Sequence, residues 1–292
     1  MIKAYFILPL VLIISFSCEE NPFSSKSEIP HRTIRGFINL EGVELYPNGN
    51  HSGVFVWARE LGISALTGAD GSFKLDLPAA STPTGGGIAD GDYIIYFFMA
   101  NYKISTVQVT FAGGEILNDD KIIKIDGELR KTVSINRMVQ IHTSIEPSTI
   151  PTTFVEDIKV KVKATPDRSD IFLYLKGIEA ARQPTVYSGL LIKDTSSGEL
   201  VYSFNPDTAG TIKRFVEQPY REFLINFKVV DDSLAPMLSP GSYEAIPYLI
   251  IESNDDPPSH LTNALEEDYD EFSEKYFNYP LYRTGGKFTI TE

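Results

Sequence analysis

Residues 67–78 read T-G-A-D-G-S-F-K-L-D-L-P, and this stretch decides the fold class of the chain. Asp70 and Gly71 are typical of a tight turn, because aspartate tolerates a left-handed backbone and glycine has no Cβ that would clash there. After the turn, every second residue from Phe73 to Leu77 is apolar, and the residues between them are polar. This alternation predicts an antiparallel strand with one buried face.

Further strand-like segments lie on both sides of this turn and strand. They cover residues 32–39, 54–59, 92–98, 104–111, 121–125 and 131–141. About seven short strands separated by turn residues, without a helical period, predict a β-sandwich. We place this first sandwich at residues 31–145.

The second half of the chain carries another series of strand patterns. Pro147 and Pro151 punctuate residues 146–153, which we interpret as a linker between two domains. Residues 155–165 alternate between apolar side chains and lysines. Other strand-like segments are residues 171–178, 187–194, 199–204, 223–230, 242–253 and 287–291. Their spacing predicts that residues 154–292 form an immunoglobulin-like or fibronectin-like sandwich.

A helical pattern interrupts this second series near residues 260–277. Apolar residues recur there at a spacing that suits one face of a helix, and acidic residues fill other positions. The apolar residues are Leu261, Leu265, Phe272 and Tyr276. We therefore predict a short acidic helix before the last strand. The predicted fold class is all-β, with two consecutive β-sandwiches and this helix.

The N-terminal residues have the pattern of an export signal. Lys3 precedes an uncharged, mostly apolar run at residues 4–14, which is shorter than the about 20 residues that span a bilayer. Small residues then lead to Cys18, the one cysteine of the chain. The pattern resembles a bacterial lipoprotein signal, which implies a signal peptide at residues 1–17, a lipid-modified Cys18 and a tether at residues 18–30. The alternative is an ordinary signal peptide cleaved nearby, which leaves a free thiol.

Short motifs in the first sandwich have the spacing of a known family. They are I-x-G at residues 34–36, G-V-x-V at residues 53–56, T-x-x-D-G-x-F-x-L-x-L-P at residues 67–78 and G-x-Y at residues 91–93. Together they resemble the carboxypeptidase regulatory-like domain over residues 32–141. The resemblance implies a seven-stranded, transthyretin-like (prealbumin-like) sandwich without catalytic residues of its own. Such modules accompany zinc carboxypeptidases, outer-membrane receptors and surface lipoproteins, and related sandwiches bind starch and other glycans.

Charge and missing motifs disfavour several classes of protein. A formal net charge of −13 argues against a nucleic-acid partner, because a phosphate backbone requires a basic surface. The sequence contains no zinc-peptidase histidine spacing, no nucleophile elbow and no phosphate-binding loop. We interpret the acidic pairs in the loops as solvated charge, with a calcium site as the alternative. The sequence thus predicts no catalytic residues, no metal site and no cofactor.

Two groups of aromatic residues are candidates for a ligand or partner surface. Trp57 and Tyr96 lie on strands of the first sandwich. They form either a platform for sugar rings or part of the core, since one face of every sandwich strand must be buried. Four tyrosines in and beside the acidic helix are a candidate partner surface, because aromatic residues are enriched in interfaces. These are Tyr269, Tyr276, Tyr279 and Tyr282.

These features predict a non-enzymatic protein of the bacterial cell envelope, anchored to the outer membrane through a lipid on Cys18. Its expected role is binding, adhesion or scaffolding, with a glycan or another envelope protein as its partner. One alternative is a carbohydrate-binding module that assists glycan capture at the cell surface. A further alternative is a hydrolase or its accessory subunit, although no catalytic spacing supports it.

Overall fold

Strands make up nearly all of the regular structure in the computed structural model, which describes residues 32–78, 87–117, 119–177, 189–204, 210–231, 233–255, 257–265 and 272–292. The strands form five sheets, which confirms the predicted all-β fold class. Within these ranges no helix is long and apolar enough to cross a membrane. The predicted signal peptide, the lipidation site Cys18, the tether and Tyr269 lie outside the described residues.

The first part of the described chain contains eight strands. They are β1 (Thr33–Leu40), β2 (Phe55–Ala58), β3 (Ile63–Leu66), β4 (Ser72–Asp76), β5 (Gly91–Phe98), β6 (Ser105–Ala112), β7 (Glu115–Ile116) and β8 (Val133–Ile135). A three-residue 3-10 helix, Arg59–Leu61, joins β2 to β3. The sheets β4-β1-β8 and β3-β2-β5-β6-β7 form the first sandwich.

The turn before β4 has the backbone that its glycine predicts. Gly71 has a φ of +80°, and a Cβ on it would lie 2.1 Å from the carbonyl oxygen of Ile38. β4 then pairs antiparallel with β1, and its Phe73 and Leu75 are 5% and 1% exposed. The alternating pattern therefore buries one face of this strand, as predicted.

The second part of the described chain contains twelve strands. They are β9 (Val139–Glu146), β10 (Thr149–Pro151), β11 (Ile158–Pro166), β12 (Phe172–Gly177), β13 (Leu190–Asp194), β14 (Leu200–Phe204), β15 (Gly210–Phe215), β16 (Arg221–Phe227), β17 (Gly241–Pro247), β18 (Leu249–Glu252), β19 (Arg283–Gly285) and β20 (Lys287–Thr291). They form the sheets β16-β11-β9-β19, β10-β20-β17-β13-β14 and β15-β12-β18. The alternation in β11 buries Ile158, Val160 and Val162 between two of these sheets.

The structure corrects the predicted linker at residues 146–153. Glu146 ends β9 and pairs with Lys159 of β11, and β10 pairs in parallel with β20. The chain crosses from the first sandwich to the second at residues 136–138, between β8 and β9. Proline does not exclude a strand in this region, because β10 lies at the edge of its sheet.

The predicted helix at residues 260–277 is also corrected. The described residues contain two short pieces there, α1 (Ser259–Thr262) and a 3-10 helix, Glu274–Asn278. Ser273 between them has an extended backbone, with φ −148° and ψ −178°, so one continuous helix is wrong. The four apolar residues of the pattern are nevertheless buried or half-buried: Leu261, Leu265, Phe272 and Tyr276.

Candidate functional site

The outer face of the five-stranded sheet of the first sandwich is covered by the second sandwich. Trp57 on β2 lies opposite Tyr96 on β5, with ring centroids 5.6 Å apart. The His260 ring of α1 lies 5.6 Å from Trp57, and both aromatic residues are 8% exposed. Trp57 and Tyr96 therefore belong to the core between the sandwiches, which is one of the two interpretations that the sequence left open, and they form no exposed platform for sugar rings.

The tyrosines after α1 are mostly buried as well. The Tyr276 hydroxyl donates to the carbonyl oxygen of Leu249 at 2.6 Å and accepts from the N–H of the same residue at 3.0 Å. Burial raises the pKa of Tyr276. Tyr279 is 5% exposed and stacks on Tyr276 with ring centroids 5.7 Å apart. The predicted exposed partner surface is therefore wrong for Tyr276, whereas Tyr279 also lines the groove described below. Tyr282 is half-buried, and Tyr269 lies outside the described residues.

A buried asparagine joins the two sandwiches. Asn101 follows β5 and is 0% exposed. Its Nδ2 donates to the carbonyl oxygens of Val139 at 3.1 Å and Tyr282 at 2.8 Å, and its Oδ1 accepts from the Tyr282 N–H at 3.0 Å. The preceding Ala100 donates its N–H to the carbonyl oxygen of Pro280 at 2.6 Å. These bonds fix the first sandwich to two separate segments of the second.

A groove opens beside this joint, at the end of the first sandwich where β1 and β5 finish. Its volume is about 350 Å³, which lies within the usual range for small-molecule sites. Polar, charged and large apolar side chains line it, and they include Asn50, Ser52, Leu66, Lys193, Glu244, Phe277, Asn278, Tyr279, Tyr282 and Arg283. We call this site the junction groove, because both sandwiches contribute to its walls.

The charged residues of the junction groove are held by neighbouring groups. Lys193 and Glu244 face each other across β13 and β17, with Nζ 3.2 Å from Oε2. The Lys193 ammonium also lies 5.5 Å from the centre of the Phe277 ring. The Arg283 guanidinium lies 5.1 Å from the centre of the Tyr276 ring. These cation–π contacts and the ion pair orient the charged groups before any ligand arrives.

A second cavity extends the junction groove along the edge strand β3. Its volume is about 290 Å³, and it shares Leu66 and Asn278 with the groove. Ser64 and Lys275 line it from opposite sandwiches. Leu66 is 59% exposed, although it sits between the two cavities. The two cavities together form an elongated cleft along the joint.

Asp231, a member of one of the acidic pairs that the sequence offers for metal binding, makes local contacts instead, as do Asp70 and Asp194. Asp70, Asp194 and Asp231 each accept hydrogen bonds from the N–H and the hydroxyl of the serine two residues later. These hydrogen bonds lower the pKa of each carboxyl group. Among the residues that the structure describes, no three His, Cys, Asp or Glu side chains are grouped closely enough to hold a metal ion.

The junction groove is suited to binding a polar ligand of moderate size. The Leu66, Phe277 and Tyr282 side chains offer apolar and aromatic faces, and the asparagine amides and charged groups offer hydrogen bonds. The sequence analysis singled out two of the residues that line the groove, Tyr279 and Tyr282. The others named above come from five separate parts of the chain, so no local motif marks them.

Comparisons with known proteins leave the family of this chain open. No family model matches the sequence, and no curated protein matches it. The matching solved structures include a DUF3823 family protein from Bacteroides ovatus, with 8% sequence identity and a TM-score of 0.28. That match covers 77% of this chain and 96% of the other chain. A TM-score this low supports no argument about fold or function.

Proposed function

We propose that this chain is a lipid-anchored, non-enzymatic protein of the bacterial cell envelope that binds a ligand or another envelope protein in the junction groove. The observation that carries the proposal is the groove itself, a concavity of about 350 Å³ with walls from both sandwiches. The buried joint behind it, pinned by Asn101, supports a preformed site. A preformed site loses less conformational entropy on binding.

The groups that line the groove support binding rather than catalysis. Glu244 is the one carboxylate among the described lining residues, and it is paired with Lys193. Ser52 supplies the one aliphatic hydroxyl, and no histidine lines the groove within the described residues to act as its base. Hydrolysis by paired carboxylates or by an activated serine needs a second group within reach.

The anchoring part of the proposal has a direct test. Mass spectrometry of the protein from a membrane fraction is expected to show a mature chain that begins at a lipid-modified Cys18. Protease treatment of intact cells then shows which face of the membrane carries the protein. A full-length soluble protein with an unmodified Cys18 would contradict the anchoring.

A carbohydrate is the second candidate ligand, and the mixed lining of the groove favours it. Aromatic and aliphatic faces beside amide and carboxylate groups match the apolar faces and hydroxyls of a sugar ring. A glycan array tests this with the wild type, Asn278→Ala and the control Asn136→Ala, an exposed residue outside the groove. We expect Asn278→Ala alone to weaken binding. An array without any bound glycan contradicts this candidate.

We also propose that the first sandwich is a carboxypeptidase regulatory-like domain. Its motif residues occupy turn and core positions, which supports the proposal. Gly36 is closely packed, since a Cβ would lie 3.1 Å from both Leu129 and Phe73, and these neighbours would have to shift to admit it. An experimental structure tests this assignment, and a strand order that differs from that of the family contradicts it.

A further inference from the structure

One end of the first sandwich surrounds the point where the tether joins it. β1 starts directly after Arg32, and the turns that follow β6 and β7 pack around this point. The Arg35 N–H donates to the carbonyl oxygen of Gly127 at 2.9 Å, and Arg32 Nη1 lies 3.6 Å from Glu115 Oε1. We call this end of the sandwich the tether pole. It comprises residues 32–35, 113–117 and 119–131.

Two large apolar side chains project from the tether pole. Ile125 is 76% exposed and Leu117 is 54% exposed. Hydrogen bonds hold the backbone at both positions. The Leu117 N–H donates to the carbonyl oxygen of Thr110 at 2.8 Å. The Gly127 N–H donates to the carbonyl oxygen of Lys124 at 2.9 Å and closes the turn that contains Ile125. A single exposed apolar residue is ordinary on a protein surface. These two lie on hydrogen-bonded turns at the end of the sandwich where β1 begins, and each offers apolar surface to a partner there.

The charges of the tether pole are nearly balanced. Arg35 pairs with Asp126 at 2.7 Å and with Glu128 at 3.4 Å, and Lys124 pairs with Glu128 at 2.7 Å. Residues 32–35 and 113–131 carry six basic and five acidic side chains. Three neighbouring aspartates add acidic groups: Asp90 beside Gly113, Asp92 bonded to Thr110, and Asp76, which lies opposite Thr33 and pairs with Lys74. The sum is seven basic and eight acidic groups, a net charge of −1. The whole chain carries a net charge of −13. The tether pole is therefore less repelled by anionic phospholipids than the chain as a whole.

We propose that the tether pole rests on the membrane that carries the anchor, with Ile125 and Leu117 in the headgroup region. This inference rests on the proposed lipid modification of Cys18. The tether from Cys18 to Arg32 reaches about 50 Å at most, so it does not fix the orientation by itself. The tether pole needs the least extension, and the anchor keeps its apolar residues at a high local concentration near the lipid.

This orientation has a consequence for the junction groove. β1 has eight residues and runs about 26 Å from the tether pole to the opposite end of the sandwich. The groove lies at that opposite end, where Ser52, Leu66 and Met99 line it. A membrane under the tether pole therefore leaves the groove facing away from the lipid and open to a ligand.

Tryptophan fluorescence of the full-length lipidated protein tests this contact. The protein is placed in vesicles of phosphatidylethanolamine and phosphatidylglycerol that carry brominated acyl chains, which quench nearby tryptophan. Wild-type Trp57, the one tryptophan of the chain, is 8% exposed and supplies a constant background. The variants are Ile125→Trp and Leu117→Trp, with Leu45→Trp as control. Leu45 is 73% exposed on the loop after β1, at the end opposite the tether pole.

We expect Ile125→Trp and Leu117→Trp to lose fluorescence in these vesicles and Leu45→Trp to keep it. Absent quenching at both sites, or equal quenching in Leu45→Trp, overturns the inference but leaves the lipid anchor intact. An unmodified Cys18 in the same preparation overturns the anchor and this inference together. Circular dichroism melts check that each variant is folded. Because the two test residues lie on separate turns, one variant still decides the question if the other does not melt cooperatively.

Discussion

His51 is a buried histidine in the loop before β2, where it accepts a backbone hydrogen bond from β1. It is 2% exposed, and its Nδ1 accepts a hydrogen bond from the Leu40 N–H at 3.1 Å. Its Nε2 is buried without a hydrogen-bond partner in the described part of the chain. The ring therefore acts as the acceptor that satisfies the last backbone N–H of β1.

Two substitutions of this histidine separate the contribution of its hydrogen bond to stability from that of the bulk of its ring. His51→Leu leaves the Leu40 N–H buried and unpaired, which is expected to lower the free energy of unfolding by about 1–3 kcal/mol. His51→Asn is expected to lose less, because its Oδ1 can take the place of Nδ1 as acceptor. Urea denaturation of both variants measures the difference. Equal losses would show that the hydrogen bond contributes nothing.

Three aspartates that accept hydrogen bonds from nearby serines give the protein a predictable response to acid. The serine hydrogen bonds of Asp70, Asp194 and Asp231 lower the pKa of each carboxyl group in the folded state. A pKa that is lower in the folded state adds stability above the unfolded-state value of about 4, and this stability is lost as the pH falls through the folded-state pKa. The triple Asp→Asn variant keeps the acceptors without the titration. We expect its melting temperature to fall less than that of the wild type between about pH 4 and pH 2, and parallel curves would contradict this.

The short 3-10 helix after α1 depends on one tyrosine hydroxyl. Tyr276 bridges the N–H and the carbonyl oxygen of Leu249, at the start of β18, from a fully buried position. Tyr276→Phe leaves both backbone groups without this partner and is expected to cost about 1–3 kcal/mol of stability. The exposed Tyr46→Phe serves as control and is expected to cost nothing. Thermal melts compare the two, and a Tyr276→Phe variant as stable as the wild type contradicts the assignment.

Strands with a clear period could be predicted from the sequence, and elements with mixed signals could not. The alternation in β4 and β11 predicts their buried faces, because a period of two leaves one choice of face. The prediction of a linker at residues 146–153 is wrong because it took the two prolines as signs of a loop. Proline is tolerated at the sheet edge that β10 occupies. The predicted helix at residues 260–277 is too long. Its apolar spacing indicates which side chains are buried, and two short helical pieces bury them as well as one continuous helix would.

The joint between the sandwiches gives the described chain a shared hydrophobic core. Core residues from β2 and β5 share a single hydrophobic cluster with those of the second sandwich, and Arg32–Glu292 form one compact unit. We expect one unfolding transition in the wild type. Asn101→Ala removes three hydrogen bonds at the joint and is expected to cost at least about 1–3 kcal/mol. Calorimetry checks both, and two separate transitions in the wild type contradict a shared core.

Most of the candidate site could not be predicted from the sequence, because it forms only where the two sandwiches pack together. The aromatic residues with the strongest pattern, Trp57 and Tyr96, are covered because the outer face of their sheet packs against α1. The groove residues Ser52, Lys193 and Glu244 carry no motif, since they meet only when the two sandwiches pack. The sequence could identify Tyr279 and Tyr282 because they belong to a dense local group of tyrosines.

The measurement that tests the central claim most directly is ligand binding by a variant with a blocked groove. Ser52→Trp fills the junction groove, whereas Ser134→Trp adds the same side chain to the exposed face of β8. Wild type and both variants are screened against a glycan array and a library of peptides from envelope proteins. We predict a ligand that the wild type and Ser134→Trp bind and that Ser52→Trp does not. A ligand that Ser52→Trp retains at full affinity would contradict the assignment of the groove.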